Sequence, residues 1–467
     1  MSKDLLRPGG KTQTAATRRG VGVTICLTLG VAVGLGLLLV PPAIIVTALM
    51  VIGIAMLVLR SPYLGLLLLL GLEYSRLQEL IAGLRPLHIP RLLTLWVAVA
   101  WLLSMVGTGR VRITRDRQNA VMVGIVLVAG LSLVSAYWPG MGARVLIDLV
   151  KKMVSFLLIL NLAGEQKRLR WVVWTIILLN VWLCLNQIGA YREAIPGHAF
   201  VRVGGGTDSF LGNTIDFAVA LAVVLPIALF MALAERRPAL RVTAALATIL
   251  FIAAIVNTGS RAGALGLAAL FGVFYLKTPN KILGLVGFLL LVLCWWSLSP
   301  QAYKERVFSI GDYQQDASVV RRIEAWHAAR EMIRDHPLIG VGIGNFGIAY
   351  GVAYSPPAEK SRWMSVHNVL YQAAAELGLL GLVVYTLLGC FIIGDNRWTR
   401  RLSEHMLADC GSWHRNIAHG LDASLIGYLV TSMFATTLYY PHLYIIAGMA
   451  AALKHSALAV VAEGSAT

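Results

Sequence analysis

The sequence predicts an all-α integral membrane protein: a polytopic bundle of about 12–14 transmembrane helices with a partly helical loop on the outer face. Three observations carry this. The 467 residues are 58% hydrophobic and 13% charged, with mean hydropathy +0.73, far from a soluble domain. Apolar runs of near-spanning length recur along the chain. Lys and Arg fall mainly in alternate connections between those runs, which is how membrane topology is written in charge. The net charge of +17 therefore reads as topology, and no nucleic-acid partner is expected.

Residues 1–20 form a basic arm with Lys3, Arg7, Lys11, Arg18 and Arg19. No convincing cleavage site follows, so the first apolar run is read as a retained helix. Fourteen runs are candidates: 21–40, 42–59, 62–74, 90–106, 119–137, 145–162, 170–188, 212–234, 239–257, 261–276, 281–298, 367–392, 421–438 and 441–459. Several are shorter than the ~20 residues of a straight span. The chain divides into the arm (1–20), an N-terminal transmembrane bundle (21–298), an outer loop (299–366), and C-terminal helices with a tail (367–467). With the arm in the cytoplasm and every run crossing, the cytoplasmic side carries 23 Lys and Arg against 7 in the short outer connections. This bias puts loop 299–366 outside the cytoplasm. Cys26, Cys184, Cys294 and Cys390 lie in apolar runs and Cys410 in a basic loop; no pair has metal spacing and no disulfide framework is indicated.

Polar residues inside such runs are costly and need partners or a wet cavity. In the run at 145–162, Asp148 and Lys152 are spaced for an i,i+4 ion pair, with an anionic headgroup as the alternative partner for the lysines. Beyond Arg202 the segment VGGGTDSFLGN is a glycine-rich turn feeding a helix from about Leu211. It reads as a plain turn or as an anion cradle, and Asn213 and Asp216 lie at the outer end of that helix. Arg261, in NTGSRAG, either snorkels to headgroups or turns inward to hold phosphate with its planar fork.

In the outer loop, Val319, Ile323, Trp326, Ala329 and Ile333 share one face at helical spacing. This predicts an amphipathic helix on the membrane or over the bundle mouth, with Trp326 one turn from Arg322. Pro337 ends it, and Gly340, Gly342 and Gly344 form a tight turn. The stretch SVHNVLYQAAAELG then opens a helix running to about Phe391. His367 stands at its mouth, and Asn368, Gln372 and Glu376 follow at spacing four as one polar stripe. A His beside a polar loop can take a proton near neutral pH. The plainer alternative for the amides is hydrogen bonding between helices.

Together, R-x-x-x-W (Arg322 to Trp326), DHPLIGVGIGNF and HN-x-x-L…E-x-G-x-x-G-L (His367 to Leu382) resemble the O-antigen ligase and polymerase superfamily over about residues 200–450. NTGSRAG and the glycine-rich loop with its later Pro226 fit the same pattern. The start of the chain is similar only in style to O-glycosylation ligases associated with exosortase systems, and Asn213-Thr214 stands where that branch often has paired asparagines. The resemblance implies a metal-independent, cofactor-free glycosyltransferase of the C-type in the bacterial inner membrane. It would take a glycan from undecaprenyl diphosphate at the periplasmic face and pass it to an acceptor hydroxyl such as a lipid A core sugar. It implies His367 as the general base that activates the acceptor hydroxyl, or as the group that positions it, and Arg261 and Arg322 on the diphosphate. Asn368, Trp326, Arg202, Asn213 and Glu376 are supporting candidates. Glu376 is nine residues into the helix and so ~13 Å away, too deep to share an atom with His367. Glycan polymerisation and protein O-glycosylation are the alternatives within the family. A secondary transporter is the alternative outside it, although no internal repeat or pair of broken helices is evident.

Overall fold

The computed structural model describes residue 28, residues 41–75, 89–107, 113–192, 213–277, scattered positions between 281 and 297, and residues 317–356, 363–406 and 408–466. Among these there is no strand. The helices are α1 (Pro42–Arg60), α2 (Pro62–Ser75), α3 (Ile89–Gly107), α4 (Arg117–Leu131), α5 (Pro139–Leu162), α6 (Gln166–Arg192), α7 (Thr214–Ala234), α8 (Pro238–Asn257), α9 (Arg261–Lys277), α10 (Ala317–Asp335), α11 (Phe346–Ala349), α12 (Val369–Leu402), α13 (Ala408–Ser432) and α14 (Pro441–Ala466). Seven of the described helical stretches are long and apolar enough to cross a membrane: Ile89–Gly107, Arg117–Ser135, Gln166–Asn186, Thr214–Ala234, Pro238–Asn257, Val369–His405 and Pro441–Glu463. Three more, Ile44–Arg60, Pro62–Tyr74 and Arg261–Leu276, are apolar but shorter. The chain is an all-α, multi-pass membrane protein. The runs expected at 21–40 and 281–298 lie largely outside the described residues.

The described residues up to Ser61 belong to one compact unit and those from Pro62 onward to a second. In the first, α1 opens on a proline, whose missing N–H costs nothing at that position, and most of its large apolar side chains are exposed. In the second unit, α7 is the central rod, buried on nearly every side. It packs on α8, α9 and α13. Pro226 interrupts its hydrogen-bond ladder, and Ser424 Oγ donates to the nearby Val223 carbonyl at 2.6 Å. Gly427 meets α7 closely: a Cβ there would stand 2.6 Å from the Ala222 oxygen. α12 packs against α4, α10, α13 and α14.

Ion pairs lock one end of this unit. Asp116 caps α4 and receives Lys454 and, at 3.0 Å, His455 of α14. Buried Asp395 of α12 receives Arg117 at 2.8 Å, Gln118 at 2.7 Å and Lys454 at 3.0 Å. A buried carboxylate survives only with such partners. In α5 the expected Asp148–Lys152 pair is corrected. The carboxylate of Asp148 pairs with Lys151 and, at 3.4 Å, with Arg91. Lys152 Nζ donates instead to the Asp148 backbone carbonyl at 3.1 Å.

Candidate functional site

The site lies at the end of the bundle opposite the ion-pair network, because α4 and α12 run antiparallel. Arg117 meets Asp395 at one end, and Ser132 and Ser135 meet the loop after α10 at the other. At the site end, residues 363–368 reach α12 as non-helical chain. Asn368 is its N-cap, with Oδ1 accepting from Leu370 N at 3.0 Å and Tyr371 N at 3.1 Å. This is why an amide stands there, and it takes Asn368 out of the expected stripe.

His367 has φ +48, the only positive φ outside glycine among the described residues. Such a backbone costs about 1–3 kcal/mol and persists only where the surroundings impose it. Two contacts do so. The His367 N–H donates to Thr436 Oγ1 at 3.0 Å, and the preceding Val366 carbonyl accepts from Trp326 Nε1 at 3.0 Å. The half-buried imidazole is pushed down to about 4, first by burial and then by the Arg322 guanidinium, so it is neutral at pH 7.

Arg322 comes from α10, which packs on α12 and on the loop that follows α10, in a phase rotated from the expected one. Its buried face is Ala325, Ala328, Ala329 and Met332, packed on Val341, Phe346, Ala349, Tyr350, Val366 and Ala375. Ile323, expected inside, is 39% exposed; Trp326 and Ile333 flank the contact. Alanines at the interface let the backbones come close. Trp326 spends its ring on Tyr371, with centroids 6.1 Å apart and planes 29° from parallel. Arg322 is half-buried, whereas neighbouring Arg321 is exposed.

Arg261 is the first residue of α9, after a turn in which Gly259 has φ +58. Ser260 Oγ accepts from Gly263 N at 3.3 Å. α9 runs antiparallel to α13, with Gly266 against Thr431 and Leu270 against Gly427. Continuing that register puts half-buried Arg261 level with the turn between α13 and α14. A cation at a helix N-terminus opposes the helix dipole, so helix stability does not account for it.

That turn, residues 433–440, is the part of the site that sequence reasoning missed. Thr436 holds His367. Leu438 N donates to Gln372 Oε1 at 3.1 Å, Tyr439 Oη donates to Glu376 Oε2 at 2.6 Å, and the Tyr440 hydroxyl reaches Asp216 of α7. Tyr428 and Tyr444 brace it through the Thr437 and Leu438 carbonyls at 3.0 and 3.2 Å. Hence Gln372 and Glu376 both tie α12 to this turn. Asn213 is the N-cap of α7, accepting from Ile215 N at 3.0 Å, rather than a residue within it, and α7 starts at Thr214 rather than near Leu211. Arg202 and the glycine-rich loop lie outside the described residues.

The helix expected to run unbroken from the His367 mouth is broken at Gly378 (φ +69, ψ −172). The loop after α10 enters the break. Val341 N and Gly342 N donate to the Ala375 and Glu376 carbonyls at 2.8 and 3.1 Å, and Leu379 N donates to Pro337 O at 2.8 Å. The groups orphaned by the break are thereby satisfied. A Cβ on Gly378 would lie 2.2 Å from the Leu338 carbonyl carbon. The loop is also held by the connection between α4 and α5: Ser135 Oγ donates to Gly340 O at 2.6 Å, and Trp138 N to Asn345 Oδ1 at 2.7 Å. Among the described residues no group of three His, Cys, Asp or Glu side chains is arranged to hold a metal ion.

Residues 246–386 match the family model for O-antigen ligase. The match spans the Arg261 turn, Arg322, the loop after α10, His367 and the break at Gly378. Comparison with curated proteins finds no match.

Proposed function

We propose, from the match of residues 246–386 to the O-antigen ligase family model, that the chain is a member of the O-antigen ligase and polymerase superfamily and a glycan ligase of the bacterial inner membrane. It takes an oligo- or polysaccharide from undecaprenyl diphosphate at the periplasmic face. It transfers that glycan to an acceptor hydroxyl such as a lipid A core sugar.

The observation that carries this reading is the pairing of a neutral, half-buried His367 with Arg322 on the helix above it. The acceptor oxygen attacks the anomeric carbon while its proton passes to the imidazole. The bond from that carbon to the diphosphate oxygen breaks, and its electron pair stays on the diphosphate. Arg322 and Arg261 hold this leaving group and meet the charge it gains. Preformed guanidinium groups suit the task because they need no reorganisation as the charge develops. An imidazole at about 4 is a poor base, but one of its two depressing causes is the Arg322 charge. A bound diphosphate neutralises that charge and makes the imidazole more basic when a donor is present. The excess of Lys and Arg on the opposite connections supports the outward orientation of the site.

The test is reconstitution of the purified protein with a polyprenyl-diphosphate glycan and separate acceptors. Transfer to a lipid A core sugar supports the ligase. Transfer to a second donor molecule makes the protein a polymerase, and transfer to a protein hydroxyl makes it a protein O-glycosyltransferase. Donor translocation without transfer overturns the enzyme reading.

A further inference from the structure

We propose that Glu376 is a positioning residue for His367, acting through Tyr439 and the turn at 433–440 rather than on substrate. This rests on the ligase reading and adds to it a residue outside the reacting groups.

The argument follows the connections. The buried Glu376 carboxylate accepts three hydrogen bonds from two other segments: Gly344 N at 2.9 Å, Phe346 N at 3.4 Å and Tyr439 Oη at 2.6 Å. The first donor belongs to the loop that continues from α10 and the second to the start of α11, which follows that loop; the third belongs to the turn before α14. α10, which leads into that loop, and the same turn hold the His367 peptide. α10 reaches it through Trp326 Nε1 on the Val366 carbonyl, and the turn reaches it through Thr436 Oγ1 on the His367 N–H. Thr436 and Tyr439 are three residues apart in the short connection between α13 and α14. Glu376 is therefore the point where both supports of a strained residue are joined, in the half of α12 that precedes the break. A carboxylate suits three donors because it presents only acceptors. It lies nine residues and ~13 Å along α12 from His367, so it acts through the scaffold. The cost of loosening that scaffold is set by geometry: a misplacement of ~1 Å at the reacting atoms can cost ~10²-fold in rate.

The experiment compares Tyr439→Phe, Glu376→Gln and Glu376→Ala with wild type in vesicles loaded with polyprenyl-diphosphate glycan, reading kcat and the donor KM separately. Tyr439→Phe removes only the tie between carboxylate and turn and leaves the loop bonds in place. It is expected to lower kcat by about 10-fold or more with the donor KM within about 2-fold of wild type. Glu376→Gln keeps one acceptor oxygen, and its NH2 group can donate to the Tyr439 oxygen. It is expected to retain more kcat than Glu376→Ala. Unchanged kcat in both Tyr439→Phe and Glu376→Ala overturns the inference. So does a loss in Tyr439→Phe that falls equally on donor binding. His367→Ala runs alongside: if it transfers at the wild-type rate, the ligase reading has failed, a separate outcome from failure of the Glu376 assignment.

Discussion

The backbone N–H of His367 donates to the side-chain oxygen of Thr436 at 3.0 Å, joining two residues 69 positions apart. The bond fixes a histidine whose backbone sits in the left-handed region. Thr436→Val keeps the shape and removes the acceptor, leaving a backbone donor unsatisfied at a cost of roughly 1–3 kcal/mol. The expected result is a loss of about 10-fold or more in transfer rate, with Thr436→Ser close to wild type because it keeps the hydroxyl. Rate measurements on the two variants check this.

Gly378 is expected to tolerate no side chain. It needs a positive φ, and a Cβ would lie 2.2 Å from the Leu338 carbonyl carbon. Gly378→Ala should cost at least ~2 kcal/mol from backbone strain alone, plus the clash. Gly389→Ala in the same helix, with nothing within 4 Å of its Cβ, is the control and should be neutral or slightly stabilising. Thermal unfolding in detergent distinguishes them.

The pH dependence follows from His367. Its folded value of about 4 lies below the ordinary 6.5, so the unfolded chain takes the proton first. The stability it contributes is complete above 6.5 and is lost as pH falls from 6.5 toward 4. In catalysis, kcat/KM reports the free enzyme and kcat the donor complex. The acid limb of kcat/KM should sit near 4. The acid limb of kcat should sit higher under the proposed mechanism, in which the donor diphosphate neutralises Arg322. Coincident limbs in the pH–rate profiles would show that Arg322 and donor do not meet.

Sidedness is checked by thiol labelling in a cysteine-free background. Val352, 66% exposed beyond α10, is expected to react as Val352→Cys with an impermeant reagent from outside the cell. Exposed Glu404, as Glu404→Cys, is not. The reverse pattern would put His367 on the cytoplasmic side.

His367, Arg261 and Arg322 could be picked out of the sequence as candidates because charged and titratable groups beside apolar runs stand out, and because their motifs are ordered along the chain. The helical class was legible for the same reason. The phase of α10 was not. Large apolar residues define a visible stripe, but here Ala325, Ala328, Ala329 and Met332 do the packing; only Ala329 lay in the expected stripe, and alanine is equally at home on either face. The break at Gly378 was hidden because glycine is common in membrane helices, and only the entry of the 337–342 loop makes that one special. The turn at 433–440 read as the end of an apolar run. Its Thr and Tyr side chains acquire meaning only when α12 is laid beside it. Glu376 was read from the sequence as too deep to touch the reacting atoms. Its role as a junction needed Gly344, Phe346 and Tyr439 in place.

The central claim is that His367 serves the acceptor and Arg322 the donor. The most direct measurement is donor binding and single-turnover transfer on the same preparations of wild type, His367→Ala, Arg322→Ala and Arg322→Lys. His367→Ala should bind the polyprenyl-diphosphate glycan normally and transfer about 10²–10⁴-fold more slowly. Arg322→Ala should lose both binding and transfer, and Arg322→Lys should restore only part, since a point charge does not replace a two-pronged contact. His367→Ala transferring at the wild-type rate, or Arg322→Ala binding donor as tightly as wild type, would contradict the account.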